Sequence, residues 1–348
     1  MRTPRVMSDT RVISDTRVVS LIGAPTDVGA SDRGASMGPE ALRVAGLDAA
    51  LRGCGLQVED LGNLSGPPNP GMRKIDGYSN LPEVVAWNRA VYEAVHADLH
   101  RGRLPILLGG DHSLSVGSIA AVARHCRDAH KSLRVLWLDA HTDFNTRELS
   151  PSGSLHGMPL SSLCGFGPPE LLALGGERPA IKPHWVRQVG IRSVDAGERE
   201  FVHAQNLEVF DMRCIDEIGI RHAMEIALED MDEDTHVHVS FDVDFLDPEI
   251  APGVGTTVPG GMSYREAQLC MEMIADTGKM ASLDIMELNP ALDVRNKTAI
   301  ITVDLVQSMF GKSTLVRERT RRRLPGDTSG AGRTSRAAKS SHPLATAV

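Results

Sequence analysis

Three short stretches of this 348-residue chain concentrate histidine and aspartate: Gly109-Gly110-Asp111-His112-Ser113, Asp139-Ala140-His141-Thr142-Asp143-Phe144-Asn145, and Asp242-Val243-Asp244 followed by Asp247-Pro248. Taken singly, each has a plain structural reading, as a glycine turn or as an aspartate capping a strand end. Taken together they do not, because Asp139, Asp143, Asp242, Asp244 and two imidazoles gathered at one edge are unfavourable unless cations neutralise them. In an extended segment, residues two apart project to the same side, so Asp139, His141 and Asp143 can converge, and so can Asp242 and Asp244. The set holds imidazole and carboxylate but no thiolate, which favours Mn(II) or another hard-to-borderline ion over structural zinc. Four aspartates balance two divalent ions, and a hydroxide bridging them leaves an anionic cluster that attracts a cation such as a guanidinium. Two ions roughly 3.5–4 Å apart also bring the pKa of the bridging water toward neutrality, making a strong nucleophile.

For these stretches to meet, neighbouring strands must deliver them. Short Val/Ile/Leu-rich segments, suited to strands buried on both faces, run over Arg17–Ile22, Gln57–Leu61, Leu104–Leu108, Leu133–Leu138, Val186–Ile191, Glu208–Phe210, His236–Phe241 and Met280–Ile285. Helical patterns lie between them at Pro39–Leu51, Pro82–His100, Val116–Cys126, Asp216–Met231, Tyr264–Asp276 and Asn296–Met309. Pro39 and Pro82 suit first-turn positions, and Gly53, Gly102, Gly278 and Gly311 suit stops. The alternation predicts an α/β fold of three layers, α-β-α, with a mostly parallel sheet of about eight strands. Right-handed crossovers then bring the functional loops to the carboxyl ends of the strands.

At 41% hydrophobic and 24% charged residues the chain has an ordinary globular make-up, and no apolar run approaches the ~18–20 residues of a membrane span. The segment Val18 to Ala24 is also too short for a signal-peptide core, so a cytoplasmic location is expected. The five cysteines are scattered, with no Cys-x-x-Cys pair, which fits reduced, buried thiols. Residues 1–16, with the short duplication Ser8-Asp9-Thr10-Arg11-Val12 and Ser14-Asp15-Thr16-Arg17-Val18, are expected to be a disordered leader. Residues 17–311 form the expected catalytic domain, and 312–348 a basic, disordered tail. From Lys312 onward there are nine Lys/Arg against two Asp/Glu; before it there are 28 against 43, an acidic body suited to divalent metals and a cationic substrate. Arg321-Arg322-Arg323 is expected to be a solvated run, with neither nucleic acid nor membrane as a partner.

Five motifs then carry a resemblance: GGDHS at 109–113, DAHTDFN at 139–145, SGSLHGMP at 152–159, SFDVDFLDP at 240–248 and LDIMELNP at 283–290. With these in order, the chain resembles the ureohydrolase superfamily, and within it the arginases, from about Arg17 to Gly311. The resemblance implies an arginase/deacetylase-like fold, two Mn(II) ions per subunit and a homotrimer or homohexamer. It implies hydrolysis of L-arginine to L-ornithine and urea, by attack of a hydroxide bridging the two ions on the guanidinium carbon. His112, Asp139, Asp143 and Asp242 would hold one ion; Asp139, His141, Asp242 and Asp244 would hold the other. His156 would be the catalytic histidine that protonates the leaving amine, work suited to a group titrating near neutrality. Glu287 would grip the guanidinium through a directional carboxylate pair, with the Thr256 hydroxyl lining the same pocket. Asn145 and Ser152 would contact the α-carboxylate and Asp195 the α-amino group, which separates arginine from agmatine. Two positions depart from the family pattern: Ser154 replaces a frequent Asn in the carboxylate-binding segment, and Ser193 replaces a frequent Asp beside Asp195.

Three other readings compete. Agmatinase or another guanidino-compound amidinohydrolase shares the metal site and differs at the distal contacts. A serine hydrolase would use Gly34-Ala35-Ser36-Met37-Gly38 as a nucleophile elbow, which requires a strand ending at the serine. A catalytically silent binding protein could share the fold, since fold alone does not specify function.

Overall fold

Largely apolar runs become the middle of the sheet. A computed structural model describes residues 17–71, 73–176 and 179–315. Its strands are β1 (Val18–Gly23), β2 (Gln57–Asn63), β3 (Lys74–Ile75), β4 (Tyr78–Ser79), β5 (Leu104–Leu108), β6 (Leu133–Leu138), β7 (Val186–Ile191), β8 (Glu208–Asp211), β9 (His236–Asp242) and β10 (Met280–Met286). The strands β5, β6, β9 and β10 are buried at every position, as strands covered on both faces must be. The main sheet is eight-stranded and parallel throughout, in the order β2-β1-β5-β10-β9-β6-β7-β8, and β3 and β4 form a small antiparallel hairpin.

Alternate residues of each strand feed two separate cores. Ile106, Leu108, Leu136, Leu138, Val239 and Phe241 point into one, and Leu107, Val135, Trp137 and Met286 into the other. The helices α1 (Gly38–Val44), α2 (Leu47–Gly53), α9 (Ile220–Ala227), α10 (Tyr264–Thr277) and α11 (Lys297–Met309) contribute buried residues to the first. On the second face lie α3 (Leu81–His100), α4 (Ser115–Asp128), α5 (Pro159–Leu163), α6 (Pro169–Leu172) and Val202 of α7 (Ala196–Ala204). The short α8 (Met212–Ile218) precedes α9.

The strand order decides the function. The last two strands, β9 and β10, insert between β5 and β6, so the ends of β5, β10, β9 and β6 stand side by side. Three of these carry the His/Asp clusters, and the fourth carries Glu287.

Two expected helices are each broken in two. Pro39–Leu51 divides at Gly46, with φ 85°, and Asp216–Met231 divides at Gly219, with φ 80°; neither conformation belongs to a right-handed helix. The expectations for 1–16 and for the tail beyond residue 315 lie outside the described residues. Lys312, counted with the tail, reaches back to α11, where its Nζ pairs with Asp304 and donates to Gln307 Oε1 at 2.9 Å. All five cysteines are free thiols, and four are buried. Among the described residues, no helix is long and apolar enough to cross a membrane.

Gly110, between β5 and His112, has no room for a side chain: a Cβ there would stand 1.6 Å from the Thr26 carbonyl oxygen, itself backbone. Gly110→Ala must therefore move one of two main-chain segments under the site. The expected loss is about 1–3 kcal/mol or more of stability, read as a lower thermal midpoint, together with weaker metal retention.

Candidate metal centre

At or just past the end of each strand that carries a cluster, an aspartate folds back on its own chain. Asp111 Oδ1 accepts the Ser113 N–H at 3.0 Å, Asp139 Oδ1 the His141 N–H at 2.6 Å, and Asp242 Oδ1 the Asp244 N–H at 2.8 Å. Bonding to the N–H two residues on is a local habit of aspartate. This corrects the extended geometry expected from spacing. Asp244 lies in a 3-10 turn, Val243–Phe245, and Asp143 takes a left-handed conformation with φ 49°. The residues converge through turns, because a straight strand would have carried them out of the sheet.

They do converge. His112 Nδ1 stands 3.1 Å from Asp139 Oδ2, 3.2 Å from Asp143 Oδ2 and 2.9 Å from Asp242 Oδ2, yet it is aligned to hydrogen-bond with none of them. His141 Nδ1 lies 3.0 Å from Asp244 Oδ2 and 3.5 Å from Asp139 Oδ1. Two ligand-competent groups result, His112/Asp139/Asp143 and Asp139/His141/Asp244, sharing Asp139. Their supports are fixed: His112 Nε2 is 2.9 Å from Ser240 Oγ, and its ring stacks on Trp137 at 4.1 Å. Trp137 Nε1 donates to Asp139 Oδ2 at 2.9 Å, and the Ala140 N–H donates to Asp244 Oδ1 at 3.0 Å.

The electrostatics are those of a site short of positive charge. Burial, and then the neighbouring Asp139 and Asp244 respectively, push Asp143 and Asp242 well above the usual carboxylate range. Burial and Asp139 raise Asp244 as well. Asp139 moves the other way: its burial is outweighed by His112 and His141, which hold it low. Burial also opposes a charge on His112, but Asp139 and Asp143 prevail and raise it to about 9. In the same way Asp244 and Asp139 raise His141 to about 12. Imidazoliums are standing in for cations here.

Above this floor opens a cavity of about 160 Å³. His156 and Glu287 face each other on its wall, with Nδ1 and Oε1 3.1 Å apart, and Glu287 Oε1 also accepts the His112 N–H at 2.8 Å. Glu287 is buried and left-handed, with φ 63°, a conformation that costs a non-glycine residue roughly 1–2 kcal/mol. Such strain gathers where side chains must be aimed. Asn145, Ser152, Ser154, Asp195 and Thr256 also line the cavity. Asn145 Nδ2 donates to Asp195 Oδ2 at 3.0 Å, and Ser152 Oγ accepts the Ser154 N–H at 3.1 Å. Every residue expected at the site is therefore at or directly beneath this one cavity.

Comparison with known proteins identifies the family. Residues 17–311 match the family model described as "Arginase family". The arginase of Bacillus caldovelox is 44% identical over 297 residues, 84% of this chain and 97% of that protein. The chain belongs to the arginase family. The crystal structure of the Bacillus subtilis arginase aligns with a TM-score of 0.79 at 42% identity, covering 86% of this chain and 100% of that one. A hypothetical agmatinase from Burkholderia thailandensis stands further off, with a TM-score of 0.64 at 25% identity over 86% of this chain and 87% of that one.

Within this arginase-family site, four supporting residues escaped the sequence reading. Glu198 accepts the Phe144 N–H at 2.8 Å and the Asp195 N–H at 3.3 Å, tying the loop of Asn145 to that of Asp195. Its signal was present: Asp195-x-x-Glu198 is a capping-box pattern at the start of α7. Asp111 is fully buried, accepts the Gly29 N–H at 2.9 Å, and is raised to about 6 by burial and by Glu287. Trp137 and Ser240 act from strand interiors, where nothing local distinguishes them from core. Ser36 of the elbow-like pattern sits in a 3-10 turn far along the chain from the end of β1, and its hydroxyl donates to Asp27 Oδ2 at 3.1 Å. That arrangement is not a nucleophile elbow.

Proposed function

We propose that this chain hydrolyses L-arginine to L-ornithine and urea, with His112, Asp139, Asp143 and Asp242 around one divalent ion and Asp139, His141, Asp242 and Asp244 around a second. The fit rests on His112 Nδ1, buried within 3.2 Å of carboxylate oxygens from Asp139, Asp143 and Asp242, a crowd of acceptors that needs positive charge at its centre. Carboxylate with imidazole and no thiolate favours manganese. When bound, two such ions supply a water made nucleophilic near neutral pH and positive charge opposite the developing negative charge.

The chain's own residues do the rest. Glu287 remains ionised, because its burial is outweighed by hydrogen bonds from His156 and the His112 N–H, and so presents an anion to the guanidinium. Burial works against a proton on His156, but Glu287 and then Asp111 overcome it and raise its pKa. A protonated imidazole is thereby kept beside the bond that breaks, as a donor to the leaving amine. Asn145 and Ser152 at the mouth receive the α-carboxylate, with Ser154 supporting Ser152 and Asp195 receiving the α-amino group. Thr256 closes the wall. The reading includes a cytoplasmic location, in keeping with the free thiols, and a homotrimeric or homohexameric assembly carried from the family resemblance.

One observation carries the proposal: a single cavity holds the cation hole at its floor and Asn145, Ser152 and Asp195 along its lining, groups for both ends of one amino acid. The test compares urea release from L-arginine and from agmatine with Mn(II) present. Arginine should be strongly preferred, and Asn145→Ala with Ser152→Ala should erode that preference at least tenfold. Equal turnover of agmatine, or an unchanged ratio in the double variant, would sink the substrate assignment and leave the metal site standing.

A further inference from the structure

A second cavity, of about 500 Å³, opens at the opposite edge of the sheet from the metal centre. Arg134 at the start of β6, Arg187 at the start of β7 and Thr235 just before β9 line it, whereas the metal-binding groups follow the far ends of β6 and β9. At about 3.3 Å per residue, the length of a strand separates the two sites by roughly 17 Å. The lining is cationic, with Arg127, Lys131, Arg134 and Arg187 against a single carboxylate, Asp230.

Arg134 has the least ordinary environment of these. It is only 7% exposed, and its Nη1 donates to the Ala227 carbonyl at 2.7 Å. Among the described residues no carboxylate is in ion-pair contact with it. Burial, and then the Arg187 charge, depress its pKa, while Glu208 and Asp230 act on it only from a distance. Arg187 pairs with the half-buried Glu208, Nε to Oε2 at 2.8 Å, and its Nη1 donates to the His184 and Val186 carbonyls at 2.8 and 3.0 Å, which leaves Arg134 as the guanidinium without a counter-charge. Arg127 is held by the carbonyls of Ala180 and Gly175, and Lys182 adds a further cation over the Trp185 ring at 5.8 Å. A guanidinium taken out of water without a counter-charge is costly, and a like-charged neighbour increases the cost. An anion between these groups would relieve both.

We propose that this cavity binds a small dianionic oxyanion, a phosphate or a dicarboxylate, held by Arg134 and Arg187 from below and by Lys131 at the rim. The Arg134 guanidinium, engaged only through Nη1, can offer paired N–H donors to two oxygens of such a group, and Arg187 can add its Nη2. The Trp185 ring and Leu133 give the cavity an apolar side for the body of the ligand. The site is separate from the hydrolytic centre and does not depend on the substrate assigned there.

The test uses the full-length, Mn(II)-loaded protein, with inorganic phosphate and malate as probes at constant ionic strength and sodium chloride as the reference. Binding should raise the thermal midpoint saturably, on the order of 5 °C at 100-fold excess over Kd, with no change in the KM for arginine. Whichever probe binds more tightly identifies the headgroup class. Arg134→Gln should weaken binding at least tenfold and Lys131→Ala several-fold, whereas Arg213→Ala on the exposed face of α8 should not change it. If Arg134→Gln fails to fold, the exposed Lys131 decides. No saturable effect beyond chloride, or wild-type affinity in the cavity variants, overturns the proposal. So does a competitive rise in KM that persists in those variants, since it would assign the anion to the metal centre.

Discussion

Chelating the divalent metal is expected to abolish urea release, to restore it on return of Mn(II), and to lower the thermal midpoint by an amount that grows as pH rises. The first two outcomes follow from a nucleophile that the side chains alone cannot supply. The third follows from the charges. Without metal, Asp143, Asp242 and Asp244 have pKa values above their unfolded value, and Asp111 is raised to about 6. His112 is raised to about 9 and His141 to about 12. Every one of these groups binds protons more tightly folded than unfolded. Between the unfolded carboxylate pKa and pH 9 these groups therefore hold more protons in the native state, and their contribution to stability falls with rising pH. The lowered Asp139 titrates below that window and does not oppose the trend. The same protons must leave the ligands before metal binds, so metal affinity rises with pH and the gap between loaded and stripped protein widens. With metal about 1,000-fold above its Kd, each ion contributes about 4 kcal/mol, which at about 2–4 °C per kcal/mol gives a gap of 10 °C or more. Differential scanning calorimetry from pH 5.5 to 8.5 measures it. The buried His236 and the half-buried His125 and His96, whose pKa values burial lowers, oppose the trend equally in both forms. The gap is therefore the quantity to read, and a gap that narrows with rising pH would refute the cation-hole description.

Glu287→Gln is expected to reduce kcat/KM for arginine by roughly 10² to 10³-fold or more, the consequence of leaving a buried guanidinium without its anion at about 3–5 kcal/mol. The substitution is close to isosteric, and an amide oxygen can still accept the His112 N–H that Glu287 Oε1 accepts at 2.8 Å. The fold should therefore survive, with a thermal midpoint near wild type. The change also removes the charge that most raises His156, whose Nδ1 is 3.1 Å from the same carboxylate. The protonated form of His156 is then lost at lower pH, and the alkaline limb of the residual activity should move down in pH. A variant with the same kcat/KM loss but an unshifted limb would separate Glu287 from His156. A variant with near wild-type kcat/KM would remove Glu287 from the guanidinium site.

Much of this molecule was legible in its sequence. The eight main strands were expected within a few residues of where they lie. For the inner ones the reason holds, since a strand buried on both faces is largely apolar, as in Leu104-Pro105-Ile106-Leu107-Leu108. The edge strands β2 and β8 depart from that expectation, β2 being mostly exposed and β8 only partly buried. The ligand-competent groups were legible too, because histidine and aspartate at such density have few other uses and because five family motifs appear in order. Glycines Gly46 and Gly219 hid two helix breaks inside apolar patterns, since periodicity records which face is buried and not whether the backbone is continuous.

Tertiary structure decided the rest. No local feature announces that β9 and β10 slide between β5 and β6, yet that order sets Glu287 beside His112 across 175 residues of chain. The turns that close the metal site depend on Asp139 and Asp242 bonding to their own backbone and on Asp143 adopting a left-handed conformation, a cost repaid only when the neighbouring strands are in place. The same is true of Arg134. In sequence it is one charge in an apolar strand, Leu133-Arg134-Val135-Leu136, and only the folded sheet shows it buried without a counter-ion. Sequence determined which side chains could do the chemistry, because residue type fixes ligand and acid-base character. The packed sheet determined which of them meet, because distance and solvent exclusion are properties of the whole chain.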